Sequence, residues 1–221
     1  MQNVYEQIDT NKRRSLFVMI GFVVFVTLFI WALGQLFGSD PGIIIIAIIF
    51  SLVSAASSYF WGDKLILNLS QAKKANREDH FNFYTAAENL AIAAQIPTPK
   101  LYVIESPAMN AFATGRDPEH AVVCATTGLI NKLDKSELEA VVAHEISHIT
   151  NYDIRLMTIV AVLVGTISLL SNWILRSRGL SRKNKKSSPI TLVLGLLGLI
   201  IAPLAAKLIQ LALSRQREFY A

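Results

Sequence analysis

The sequence predicts an α-helical membrane protein with a small β-sheet, and three observations carry that expectation. Hydrophobic residues make up 52% of the 221 positions and charged ones only 17%, too apolar for an ordinary soluble chain. The excess is gathered into blocks: Ser15 to Phe37 and Gly42 to Trp61 hold no charged residue, and each is long enough to cross a hydrocarbon core of about 30 Å. Between the apolar blocks lies a mixed polar segment containing His144, Glu145, Ile146, Ser147 and His148, an H-E-x-x-H pattern in a helical context.

The first apolar block follows Lys12, Arg13 and Arg14. It is too long for a signal-peptide h-region and no A-x-A-like site follows, so it reads as an uncleaved anchor. Gly38, Ser39, Asp40 and Pro41 join it to the second block, which fits a tight hairpin. Basic residues flank the open end of this hairpin, at Lys12 to Arg14 and at Lys64, Lys73, Lys74 and Arg77. The positive-inside rule therefore puts both ends, and the polar segment after Trp61, in the cytoplasm.

Within the polar segment, Asp63 to Arg77 reads as a helix leaving the membrane and Asp79 to Ile96 as a second, with Phe81, Phe83, Tyr84, Ala87, Leu90 and Ala91 as its apolar stripe. Pro97 and Pro99 end it. Leu101 to Ile104, Ala111 to Thr114 and Ala121 to Thr126 read as strands of a small sheet, divided by Ser-Pro and Gly-Arg-Asp-Pro turns. Leu138, Val141, Val142 and Ile146 give the motif helix its apolar positions, with Ser136 and Glu139 at capping-box spacing and Asp134 as a competing N-cap.

Two further apolar blocks follow, Leu156 to Leu175 and Ile190 to Ala206, with Pro203 kinking the last. The linker between them carries Arg176, Arg178, Arg182, Lys183, Lys185 and Lys186. If both blocks cross, this basic loop faces outward against the charge rule; the alternative is a shallow hairpin with its tip among cytoplasmic headgroups. The uncharged length of the third block favours crossing.

The net charge of +5 sits beside apolar spans and lacks interleaved aromatic stacking residues, so the bilayer rather than nucleic acid is the expected partner. Cys124 is the single cysteine, which excludes an intrachain disulfide, and it reads as a small apolar strand residue.

The motif has a direct chemical reading. A helix advances about 100° per residue, so His144 and His148 stack on one face and can reach a single Zn2+ ion, one per chain. Glu145 can lean over the open coordination position as general base. A catalytic zinc needs a third protein ligand, and no histidine follows His148, so that ligand is a carboxylate. Glu218 leads: antiparallel packing of the two preceding apolar blocks returns the chain to the level of the motif helix. Asp153 is the rival, but it points roughly 140° away from His148 on a continued helix and is preferred as an acid supporting a ligand or lying at an interface. Asn110, Ala111, Phe112 and Ala113 form the best candidate edge for holding an extended polypeptide by backbone pairing. The blander alternative is that these strands only roof the motif helix. His80 and His120 read as surface residues, Arg215 and Arg217 as a helix end at the membrane surface, and Tyr220 as a weak oxyanion candidate.

Together, the uncleaved hairpin, the Asn110 to Gly115 run (NAFATG), the Glu137 to Ile149 stretch (ELEAVVAHEISHI) and the Ser214 to Phe219 stretch (SRQREF) resemble the HtpX family of bacterial membrane metallopeptidases, related to the CAAX prenyl proteases. The resemblance covers nearly the whole chain. It implies a gluzincin-like zinc endopeptidase of the bacterial cytoplasmic (inner) membrane, multi-pass, with its active site facing the cytoplasm. Its substrates would be damaged or misassembled membrane proteins, Glu218 its third ligand and the Asn110 strand part of its cleft. In the family this glutamate opens an E-x-x-x-D pattern whose aspartate supports a metal-bound histidine; the chain stops at Ala221, so the resemblance implies a C-terminally truncated domain. The expected organisation is a tail and hairpin over 1–61, a peptidase segment over 62–153, a second apolar hairpin over 154–214, and the start of the third-ligand segment over 215–221. A CAAX-type prenyl protease and a non-catalytic membrane scaffold or transporter are the alternatives. The first needs more membrane helices than four apolar blocks supply, and the second would want intramembrane ionisable residues, of which Lys207 is nearly alone.

Overall fold

The structure is a computed structural model and describes residues 4–36 and 42–179. Two long helices open the chain, α1 (Val4–Leu36) and α2 (Ile43–Leu69). Both are long and apolar enough to cross a membrane, over Ile8–Trp31 and Ile44–Leu69. Their large side chains face outward, Phe17 being 72% exposed and Ile46 68%, as lipid-facing residues do. The structure corrects the expected helix over Asp63 to Arg77. Instead α2 runs on past Trp61 to Leu69, and Lys73–Lys74 form a short strand, β1. The reason is a turn at Gln71, whose left-handed φ of 53° closes the helix and frees the two lysines to pair antiparallel with β2 (Lys100–Ile104), Lys73 with Val103 and Lys74 with Tyr102.

The polar segment forms α3 (Phe81–Ala93), β2 (Lys100–Ile104), β3 (Ala111–Thr114), β4 (Val122–Thr126), the short α4 (Thr127–Lys132) and the motif helix α5 (Lys135–Thr150). The expected strands are present to within a residue. Their order is β1-β2-β4-β3, with β4 parallel to β2 and antiparallel to β3. Every residue of the central β4 is buried, which explains its unbroken apolar run. Cys124 lies within it, and burial pushes its thiol pKa up to about 12, so it packs as an inert apolar group. Phe83, Ala86 and Ala87 of α3 and Leu138, Val142, Ile146 and Ile149 of α5 cover the sheet in one core with Leu101 and Val123.

Beyond α5, α6 (Asp153–Gly179) turns away by 85°. It contains the whole Leu156 to Leu175 block. Ile159 and Leu163 pack against Phe22 and Val26 of α1 and Ala55 of α2, so the third apolar block lies beside the first two. Ser58 donates to the Ile159 carbonyl at 3.3 Å and secures this contact. The fourth block, Ile190 to Ala206, lies outside the described residues.

Candidate metal centre

The motif helix is placed by its cap and its core face. Asp134 is the N-cap: its Oδ1 accepts from the Glu137 amide at 2.8 Å, while the Glu137 carboxylate accepts from the Asp134 amide at 2.9 Å. This reciprocal box replaces the one expected at Ser136 and Glu139. Ser136 instead donates its hydroxyl to Asp134 at 2.8 Å, because a carboxylate accepts two donors at once and the hydroxyl is spent as one of them. The amide of Glu137 and the hydroxyl of Ser136 hold the Asp134 carboxyl below the usual aspartate range.

Leu138, Val141, Val142, Ile146 and Ile149 turn inward, leaving the opposite face to His144 and His148. Their Nε2 atoms converge to 3.2 Å, and the rings meet edge to face with centroids 4.7 Å apart. Glu145, between them in sequence, is 3% exposed. Two nitrogens bound tetrahedrally at 2.0–2.1 Å lie about 3.3 Å apart, so the imidazoles already stand at the separation a shared zinc ion needs.

Asp153 sits behind this pair. Its Oδ2 lies 3.0 Å from Nδ1 of His148. A carboxylate can only accept there, so Nδ1 donates to it and Nε2 is the nitrogen left to face a metal, the orientation a metal ligand requires. The turn at Asn151 and Tyr152, with Tyr152 at a left-handed φ of 59°, breaks the helix. It thereby brings Asp153 back to His148, where a continued helix would carry it away.

The sequence reading missed Asn11 of α1. Its Nδ2 donates to Asp153 Oδ1 at 2.5 Å and to the Asn151 carbonyl at 3.0 Å. Nothing in the sequence pairs it with a residue 142 positions on; a polar side chain at the entrance of an apolar span was the one available signal.

The candidate substrate strand occupies a sheet edge. Among the described residues β3 pairs with β4 alone, through Ala111 to Ala125 and Phe112 to Cys124, and it packs against α5. Asn110 precedes it, its amide donating to Thr126 Oγ1 at 3.0 Å. At the far end Gly115 adopts φ 137°, and a Cβ there would stand 2.6 Å from the His120 carbonyl, so the turn out of β3 requires glycine. His120 is engaged locally, with Asp117 at 2.6 Å and Arg116 at 2.7 Å, and His80 heads α3. Among the described residues no cluster of three or more His, Cys, Asp or Glu side chains is placed to hold a metal. Glu218 lies outside them, as do Arg215, Arg217 and Tyr220.

Residues 82–221 match the model of peptidase family M48. A Protease HtpX homolog of Dictyoglomus turgidum is 42% identical over 220 aligned positions, covering 98% of this chain and 72% of the relative. A Protease HtpX homolog of Streptococcus pneumoniae (strain Hungary19A-6) is 39% identical over 229 positions, covering 99% and 77%. With two membrane-length helices ahead of an H-E-x-x-H helix, the chain belongs to peptidase family M48 and is a membrane-bound metallopeptidase of the HtpX type.

Proposed function

We propose that this protein is a zinc-dependent endopeptidase of the bacterial cytoplasmic membrane, cutting damaged or misfolded membrane proteins from the cytoplasmic side. The observation that carries the reading is the 3.2 Å convergence of His144 and His148 Nε2 with Asp153 fixed behind His148. His144, His148 and Glu218 are the proposed protein ligands of one Zn2+ ion. Glu218 is chosen by resemblance and by the expected return of the chain after α6. Zinc supplies Lewis acidity and lowers the pKa of water to about 7.

The chain's own groups do the rest. Glu145 takes the proton of the attacking water and passes it to the leaving amine, as a carboxylate adjacent to the first ligand can. Its burial keeps bulk water from competing for that proton. Asp153 holds His148 in the ligand tautomer. β3, with Asn110, Ala111, Phe112 and Ala113, grips an extended polypeptide along the edge that no described strand pairs with, by main-chain pairing, which selects conformation rather than sequence and suits substrates united by damage. The division into a hairpin over 1–61, a peptidase segment over 62–153, a second apolar hairpin over 154–214 and a third-ligand segment over 215–221 belongs to the same reading.

Metal analysis of purified protein tests it together with a peptidase assay. His144→Ala or His148→Ala abolishes zinc binding and proteolysis. Glu145→Gln keeps zinc but lowers turnover by at least about a hundredfold, since the amide cannot take the proton. Wild-type zinc content in either histidine variant would sink the assignment, and zinc loss in Glu145→Gln would move that residue from base to ligand.

A further inference from the structure

We infer that Asn11, at the start of the first membrane helix, is a positioning residue for the metal centre that acts through Asp153 on His148. The inference rests on the zinc reading above. Asn11 is 8% exposed, and a carboxamide is costly to bury unless its polar atoms are paired. Both its amide hydrogens are used, on Asp153 Oδ1 and on the Asn151 carbonyl, which is the full donor capacity of the group. Asp153 turns its other oxygen to Nδ1 of His148. A carboxylate gripped at one oxygen by a fixed donor cannot rotate without breaking that bond, so Asn11 sets the direction from which Asp153 meets the imidazole.

The neighbouring residue grips the same turn independently. The Lys12 ammonium lies 4.4 Å from the centre of the Tyr152 ring, and the Arg155 guanidinium 5.1 Å from it. Tyr152 is the left-handed residue at which α5 bends into α6. Two successive side chains of α1 thus hold the turn that carries Asp153: Asn11 by hydrogen bonds, Lys12 through the aromatic face. The metal-binding helix is thereby tied to the membrane anchor, and the orientation of His148 is set from the membrane side.

A double-mutant cycle on the full chain in detergent tests this, with zinc affinity measured by chelator competition for wild type, Asn11→Leu, Asp153→Asn and the double variant. Asn11→Leu keeps the side-chain bulk and removes the donor. It weakens zinc by about threefold to tenfold, and the double variant binds no more weakly than Asp153→Asn alone, because Asn11 acts only through Asp153. An unchanged affinity in Asn11→Leu, or losses that multiply in the double variant, would overturn the inference and leave Asn11 a packing residue. If the leucine does not fold, Asn11→Ala in the same cycle decides on the same terms. A His148→Ala control separates the two levels: wild-type affinity there overturns the zinc reading itself, whereas loss of zinc there with no effect of Asn11→Leu overturns only the role of Asn11.

Discussion

Replacing Asp153 with asparagine leaves the size and shape of the side chain and removes its charge and one of its two acceptor oxygens. The carboxylate serves two donors, Nδ1 of His148 at 3.0 Å and Nδ2 of Asn11 at 2.5 Å. An amide has a single oxygen, so one of these donors must face an NH2 group. If the oxygen stays with His148, a charge-assisted hydrogen bond becomes a neutral one, a loss of about 1–2 kcal/mol. The Asp153 side chain is 32% exposed, so solvent screening puts the loss at the lower end. We therefore expect zinc affinity to fall roughly tenfold, the lower limit for a group that supports a metal-bound histidine. Competition with a calibrated chelator, with total zinc measured on the same sample, reads this directly. Affinity within a factor of about two of wild type, in a protein whose His148→Ala variant loses zinc, would refute the supporting role. Complete loss of the metal would make Asp153 a ligand and reverse the choice between it and Glu218.

Two other outcomes are expected. Glu218→Gln should cut zinc affinity well beyond the effect of Asp153→Asn, because a neutral amide oxygen is a much poorer zinc donor than a carboxylate; an unchanged affinity would remove Glu218 from the ligand set. The Asp134 carboxyl is held below its ordinary value by the helix end, so its stabilising contribution is complete above the unfolded aspartate pKa near 3.9 and is lost as pH falls through the lower folded value. Asp134→Asn, which still caps, should flatten that acid limb in circular dichroism melts, and an identical acid limb in both proteins would count against the capping assignment.

What the sequence made legible was what short-range patterns encode. The motif helix, the edge strand and the two membrane helices each follow from residues within a few positions of one another. The spacing of His144 and His148 alone fixes that their rings share a face. The misplaced cap illustrates the limit of such patterns. Asp134 with Glu137 and Ser136 with Glu139 both satisfy the box spacing, and only the acceptor capacity of the carboxylate, which takes the Glu137 amide and the Ser136 hydroxyl together, decides between them. β1 was illegible for another reason. Lys73 and Lys74 are exposed and carry no strand pattern; they are extended because Val103 and Tyr102 offer an unpaired edge.

Asp153 shows how one backbone dihedral reverses an inference from periodicity. On a continuous helix it would face away from His148, which is the argument from periodicity against its being a ligand. In the structure the chain does not continue as a straight helix at that point. The left-handed turn at Tyr152 returns it to the back of the imidazole, where it meets Nδ1 rather than the side on which Nε2 converges with that of His144. That turn is strained for a bulky side chain and persists only where its surroundings fix it. Lys12 and Arg155 on the Tyr152 ring and Asn11 on the Asn151 carbonyl supply those contacts. A membrane anchor is usually regarded as a tether that could be exchanged for another of equal length. Here its first turns provide the contacts that hold the acid behind His148, so an exchange that kept hydrophobicity and length but lost Asn11 and Lys12 would keep the protein in the membrane and loosen its metal centre.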